Sequence, residues 1–428
     1  MDRRVMTRSM HAAAAGDRWA NIHPDLLHQI LSHLRPSASS YASLRLVCTT
    51  WRVALVTAPS SFPFPPQPPF LVLPPRILNL PLGPALPILS NPSFFKPKSK
   101  PKTGVKFKNL PFLSATAGFH CVGSSHGWLI LLDPASSSLS LLNPITGSSI
   151  SLLPPLSSIS DSVVSFIPDA IGEYLLRTDS STHPVAANRF NLIHRAVLSS
   201  DPAADPSFLI VIFLSGVNSR CFTCRRNDRT WAIHPHPAFH VRDLAFYQGR
   251  CFAVGSRGLI AVFDFGSDPA VPRLTHYPML DFNNPRFLVE SDGELLLVVR
   301  HPSGNPRRSM ISTGGITVWG IGLDDGGDPV SVVTKSDIGG RILFLGKGNS
   351  VSVSAEDFPR LRKNTIYFTH VYDKLAKNKA VNIGCVCVFD VERVITRLAC
   401  NVEESRLETL WEEVGPWWLT PNLRKALA

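Results

Sequence analysis

Two cysteines separated by two residues, Cys221 and Cys224, are followed by His234, His236 and His240. Thiolates and imidazoles are the ligand types zinc prefers, so metal chemistry in this chain would sit here. The Cys-x2-Cys-x9-His-x-His order matches no common zinc finger. Phe222 between the cysteines suggests a strand, in which residues i and i+3 face opposite sides. The pair is therefore expected to be structural, and no metal or other cofactor is assigned.

Other chemistry-bearing stretches read the same way. GRILFLGKGNS resembles a phosphate-binding loop, but five residues rather than four separate Gly340 from Gly346, and Gly348 follows Lys347 where a hydroxyl would hold magnesium. Two strands and a turn suit it better. Asp324, Asp325 and Asp328 in GLDDGGDP have cation-binding types, yet the Gly-Gly pair and the proline mark a turn whose aspartates satisfy local backbone. His126 and His301 are lone histidines. No nucleophile elbow and no H-E-x-x-H helix is assigned, and no catalytic residue is expected.

The elements that position these residues fall into three zones. The first, 18–56, has helical periodicity. In IHPDLLHQILSHL, Pro24 and Asp25 suit a first helical turn, and Leu26, Leu27, Ile30, Leu31 and Leu34 form an apolar stripe. A second stripe, Leu44, Val47, Cys48, Trp51 and Leu55, predicts one helix through RLVCTTWR. The second zone, 57–110, is crowded with prolines, which favours extended chain and excludes a central strand. FLVL at 70–73 is apolar enough for a strand. The expected division is a disordered tail over 1–17, a helical domain over 18–56, a linker over 57–69 and a β domain over 70–428. The β domain carries a Pro/Lys-rich loop near 81–108.

From about residue 111 one phrase recurs: a glycine, a short apolar strand, a turn, another apolar strand, then an Asn/Asp-rich turn. It opens as GWLILLD at 127, GRCFAVG at 249 and GELLLVV at 293. Strand signals at this spacing imply an antiparallel all-β fold, and four strands per repeat is the size of a propeller blade. A β-propeller of five to six irregular blades is expected, with a pair of β-sandwiches as the alternative.

Composition bounds the function. The formal charge of +11 allows an anionic partner or a nuclear address. Lys96, Lys98, Lys100 and Lys102 form the candidate nuclear-import cluster, whose plainer reading is a solvated loop. Eight scattered cysteines do not form a disulfide framework and read as reduced core residues. The N-terminus lacks the apolar stretch of a secretory signal, and FLIVIF at 208–213 is too short to span a bilayer. Residence in the nucleus and/or cytoplasm is expected, with no membrane partner.

Residues Trp19, Ile22, Pro24, Asp25, Leu26, Leu27, Ile30, Leu34, Leu44, Arg45, Val47, Cys48, Trp51 and Arg52 fall in the order of an F-box, and the first zone resembles one. His23 stands where proline is usual and Leu44 where phenylalanine is common. CVGSSHGWLILLDP, LLNPITG and PWWLTPNL are similar to recurring segments of plant F-box proteins with a KIB-type, kelch-like β-propeller. The resemblance implies a non-catalytic substrate adaptor. The F-box would dock a Skp subunit, and through it cullin and RING subunits, while the propeller would hold the protein to be ubiquitinated. Trp19, Ile22, Pro24, Asp25, Leu26, Leu27, Ile30, Leu31, Leu34, Leu44, Val47, Cys48, Trp51 and Arg52 would form the docking face. Arg225, Arg226 and Arg229 are the candidate substrate contacts, and the substrate itself is unknown. The competing classes are a propeller hydrolase or oxidase and a basic nucleic-acid binder.

Overall fold

The computed structural model describes residues 19–34, 44, 47–56, three short stretches between 69 and 109, most of 119–402, 417–420 and 422. Two helices come first, α1 (Pro24–Leu34) and α2 (Thr49–Val56), and everything after them is β. No helix among the described residues is long and apolar enough to cross a membrane.

Four sheets follow the strand grammar of the sequence as antiparallel meanders. Blade one is His120–Ser125, Trp128–Leu132, Leu139–Leu142 and Ser149–Leu152. Blade two is Ile193–Leu198, Leu209–Leu214, Arg220–Arg225 and Ala232–Pro235. Blade three is Val241–Tyr247, Arg250–Gly255, Leu259–Phe263 and Arg273–His276. Blade four is Arg286–Ser291, Glu294–Pro302, Thr313–Leu323 and Pro329–Lys335. The first strands of successive blades lie side by side, so the sheets are arranged radially as a propeller.

Blade five departs from the pattern. Val351–Ser354 takes the inner edge, next to Arg341–Leu345, which pairs in parallel with Thr365–Ala376. Lys379–Asp390 and Ile395–Val402 complete it. A further sheet joins the chain ends: Trp417–Leu419 pairs with Phe70–Val72, followed by Pro84–Pro87 and Lys108–Asn109. This places an interior strand in the proline-rich zone, where none was expected. The prolines stand at its two ends, and Ala85 and Leu86 occupy the middle of the register. A three-stranded sheet, Val164–Pro168, Tyr174–Thr178 and Thr182–Pro184, is inserted between blades one and two.

The apolar runs are continuous because blades bury both faces. Along Leu209–Leu214, Ile210, Ile212 and Leu214 pack toward blade one, while Leu209, Val211 and Phe213 pack toward blade three. Along Glu294–Pro302, Leu295, Leu297 and Val299 face blade three, and Leu296 and Val298 face blade five. A period-2 strand with apolar residues on both sides reads as an unbroken apolar run.

The recurrent leading glycine also has a cause. His126-Gly127, Gln248-Gly249 and Asp292-Gly293 join the first two strands of blades one, three and four, and both residues of each pair have positive φ. Two residues with φ above zero make a type I′ hairpin turn, and glycine is the residue that accepts its second position without strain. The phrase found in the sequence is thus the turn plus the second strand of a blade.

Blade one is locked to the C-terminal strand. Ser124 Oγ donates to the Trp418 carbonyl at 2.7 Å, Asn143 Nδ2 donates to the Asn422 carbonyl at 2.9 Å, and Asn422 Nδ2 donates to the His126 carbonyl at 3.0 Å. On the other side, the buried Trp418 indole donates to the Leu345 carbonyl of blade five at 2.8 Å and packs edge-on against Phe344. CVGSSHGW, LLNPITG and PWWLTPNL are therefore three parts of one closure.

Candidate functional site

The N-terminal helix pair starts with a cap. His23 precedes α1; its carbonyl accepts the Leu27 N–H at 3.1 Å, and its ring Nδ1 accepts the Asp25 N–H at 3.3 Å. The histidine that departs from the F-box pattern thus satisfies one of the free amides of the first turn, and Pro24 takes the position where no amide is needed. Leu27, Leu31, Ala54 and Leu55 are buried. His28 Nε2 ties the two helices by donating to the Ala54 carbonyl at 2.8 Å.

The single helix expected through RLVCTTWR is broken. Val47 lies in a turn whose amide bonds to the Leu44 carbonyl at 3.2 Å, and α2 begins only at Thr49. Cys48 sits at the N-cap, half-buried, with its sulfur accepting the Trp51 N–H at 3.5 Å. It acts here as serine does at other helix starts. The stripe fails because the capping geometry turns Val47 away from the helix that carries Trp51. Trp51 is half-buried; its indole donates to the Trp19 carbonyl at 2.8 Å, and the two rings lie 6.5 Å apart.

What the pair leaves uncovered is apolar. Trp19 is 56% exposed, Leu26 53%, Val47 58% and Val53 52%. Pro24, Asp25 and Arg52 are exposed, Ile22, Ile30 and Leu44 are half-buried, and the Leu34 side chain lies outside the described ones. Val53 was not among the residues expected at this face, because its spacing puts it off the Trp51–Leu55 stripe. Large exposed apolar side chains concentrated on so small a unit mark an interaction surface.

The remaining candidates separate. Cys224 packs toward blade one and Cys221 toward blade three, as strand alternation requires. Burial pushes the Cys224 thiol up to about 12 and the Cys221 thiol well above its usual range. His234 is buried, with Nδ1 accepting the Ala270 N–H at 3.0 Å and Nε2 bonded to Thr223 Oγ1 at 2.8 Å. His240 is exposed, and His236 lies outside the described residues. Among the described residues no group of three His, Cys, Asp or Glu side chains could hold a metal ion.

Asp324 closes a hairpin turn by accepting the Asp328 N–H at 2.8 Å. Arg341–Leu345 is a strand, while Lys347 and Gly348 lie outside the described residues. Arg225 and Arg229 are exposed and Arg226 half-buried on the turn between the third and fourth strands of blade two, where Arg225 donates to the Ser207 carbonyl at 2.7 Å. Lys96, Lys98, Lys100 and Lys102 lie outside the described residues. The spacing G-x-S-x-G, not assigned from the sequence, is met by Gly123-Ser124-Ser125-His126-Gly127. It spans a β-hairpin rather than a strand-to-helix elbow, and Ser125 is buried with its Oγ accepting the Leu198 N–H at 3.3 Å. That geometry exposes no nucleophile.

Comparison with known proteins accounts for both parts of the chain. The KIB1-4 beta-propeller profile matches residues 94–390, more than half of the sequence. The chain belongs to that family. An F-box domain profile matches residues 19–58, the helix pair with the apolar face. The Arabidopsis thaliana putative F-box protein At4g22660 is 23% identical over 388 residues, covering 84% of this chain and 88% of that protein. Arabidopsis thaliana F-box protein SKIP23 is 24% identical over 284 residues, covering 65% and 63% respectively. Among solved structures, the β-propeller domain of Myceliophteria thermophila Cps50 (Swd1) matches with a TM-score of 0.32 at 8% identity, covering 66% of this chain and 86% of that one. Likeness at that level adds nothing to the fold already read from strand pairing.

Proposed function

We propose that this protein is the substrate-recognition subunit of a Skp-cullin-F-box ubiquitin ligase. The F-box docks a Skp-type adaptor, which carries the cullin and RING subunits, and the propeller holds the protein to be ubiquitinated. The observation that carries the reading is the apolar surface of Trp19, Leu26 and Val47 on a helix pair matched by the F-box profile. A two-helix unit buries too little to satisfy its own apolar surface and gains from a partner's helices. On this reading the protein itself is not a catalyst, and it works in the nucleus and/or cytoplasm.

The test is co-purification of the full chain with a plant Skp-type adaptor. Leu26→Glu with Val47→Glu should abolish capture, since each covered aliphatic side chain contributes about 1.5–3 kcal/mol, or roughly tenfold or more in affinity. Arg229→Glu, on the propeller, should leave capture unchanged. Undiminished capture by the double variant would overturn the docking assignment.

A further inference from the structure

In blades two, three and four, the inner strand carries an arginine within its first three residues: Arg195, Arg242 and Arg286. Because each blade has four antiparallel strands, these inner strands all begin at the same end of the ring. The ladder is bulged there, with the register breaking between Ile193 and Arg195 and again between Val241 and Asp243. Bulges of this kind re-aim side chains and are concentrated near binding sites.

Arg195 and Arg242 are half-buried, and among the described residues a single carboxylate is ion-paired with the two of them. Arg286 is 2% exposed. Arg195 spends its donors on main chain, Nε to the Arg242 carbonyl at 2.8 Å and Nη1 to the His194 carbonyl at 2.9 Å. Arg242 has its Nε buried without a hydrogen-bond partner. The carboxylate beside Arg195 is Asp243, 3.8 Å away, and it is already engaged by the Leu288 N–H at 2.8 Å. Burial pushes the Asp243 carboxyl up to about 7, which further reduces the negative charge present. Burial, followed by the neighbouring Arg242 cation, disfavours charge on Arg195, and Asp243 offsets this only in part. Arg195 and Arg242 thus bring two cations to one carboxylate among the described residues, and a guanidinium fork fits phosphate oxygens two at a time.

We propose that this end of the ring is an oxyanion site taking a phosphate group, free or carried on a small molecule, between Arg195 and Arg242 with Arg286 beside them. Inorganic phosphate, pyrophosphate and glucose 6-phosphate are titrated into the full-length protein by calorimetry at low salt, with acetate as the carboxylate comparison. Saturable binding of at least one phosphate probe is expected. Arg242→Met, which keeps the apolar stem, should weaken it about tenfold or more, the loss of one charge-assisted hydrogen bond. Arg393→Met, on an exposed turn of blade five, should not change it, and Arg242→Lys should retain part of it should the methionine variant fail to fold. Binding of inorganic phosphate as tight as that of the sugar phosphate means that the free ion suffices; tighter sugar phosphate binding means that a carried group is read. No saturable binding by any phosphate probe, equal losses in the Arg242 and Arg393 variants, or acetate binding as tightly as phosphate would overturn the proposal.

Discussion

Replacing Gly127 by alanine should open the ring closure, and two sister turns provide the control. Gly127, Gly249 and Gly293 occupy the same place in type I′ turns with φ of +83, +76 and +75. Alanine in that conformation costs about 1–2 kcal/mol at each. At Gly249 and Gly293 an added Cβ meets nothing within 4 Å. At Gly127 it would lie 2.4 Å from Asn422 Cβ, 2.6 Å from Thr420 O and 2.8 Å from Asn422 N. Two of those three atoms are backbone, so no side-chain rotation relieves the overlap. Thr420 and Asn422 must retreat, forfeiting the bonds from Asn422 to His126 and from Asn143 to Asn422, each worth about 1 kcal/mol. Gly127→Ala should therefore cost about 2 kcal/mol more than Gly249→Ala. Urea titration read by tryptophan fluorescence measures the difference, and hydrogen exchange over 417–419 shows where it arises. Equal losses in the two variants, with unchanged protection of 417–419, would refute the closure argument.

Four further outcomes are expected. Asp243→Asn should flatten the pH dependence of stability: with a folded-state pKa near 7, above the unfolded value, the wild-type carboxyl contributes stability present at low pH and lost as pH rises through 7. Urea midpoints for both proteins at pH 5.5, 6.5 and 7.5, about, should differ in slope by at most about 1.4 kcal/mol per pH unit. Cys48→Ala should speed amide exchange at Trp51 by the loss of a cap worth about 0.5–2 kcal/mol, whereas Cys48→Ser should preserve protection. Leu27→Ala should cost the helix pair about 2–5 kcal/mol because the side chain is fully buried, seen as local loss of exchange protection in α1, while Leu26→Ala leaves that protection intact. Trp418→Phe should cost about 1–3 kcal/mol in urea titration by leaving the Leu345 carbonyl without its donor.

The sequence was most legible where neighbouring residues alone decide the structure. A type I′ turn is written in two residues and a blade strand in five or six, so GWLILLD, GRCFAVG and GELLLVV announced the repeat before any pairing was known. The F-box stripe was legible for the same reason in α1, whose buried Leu27 and Leu31 sit a turn apart. Legibility failed where a short-range rule met a long-range contact. Cys48 fits a helical stripe by spacing, but the α2 amides need a cap and its sulfur supplies one. Pro84 and Pro87 argue against an interior strand, yet with only Ala85 and Leu86 between them the strand is short enough to place both at its ends.

The arginines at the inner-strand ends had no sequence signature, since Arg195, Arg242 and Arg286 are separated by more than forty residues and meet only through the blade repeat. The radial arrangement also takes up three of the tryptophans. Trp128, Trp231 and Trp418 are buried, and their indoles donate to Asp201, Pro154 and Leu345. A radial fold spends its large aromatic side chains on joining sheets. The blade-two turn is different: Arg225 and Arg229 stay exposed there, outside the layers that join sheets.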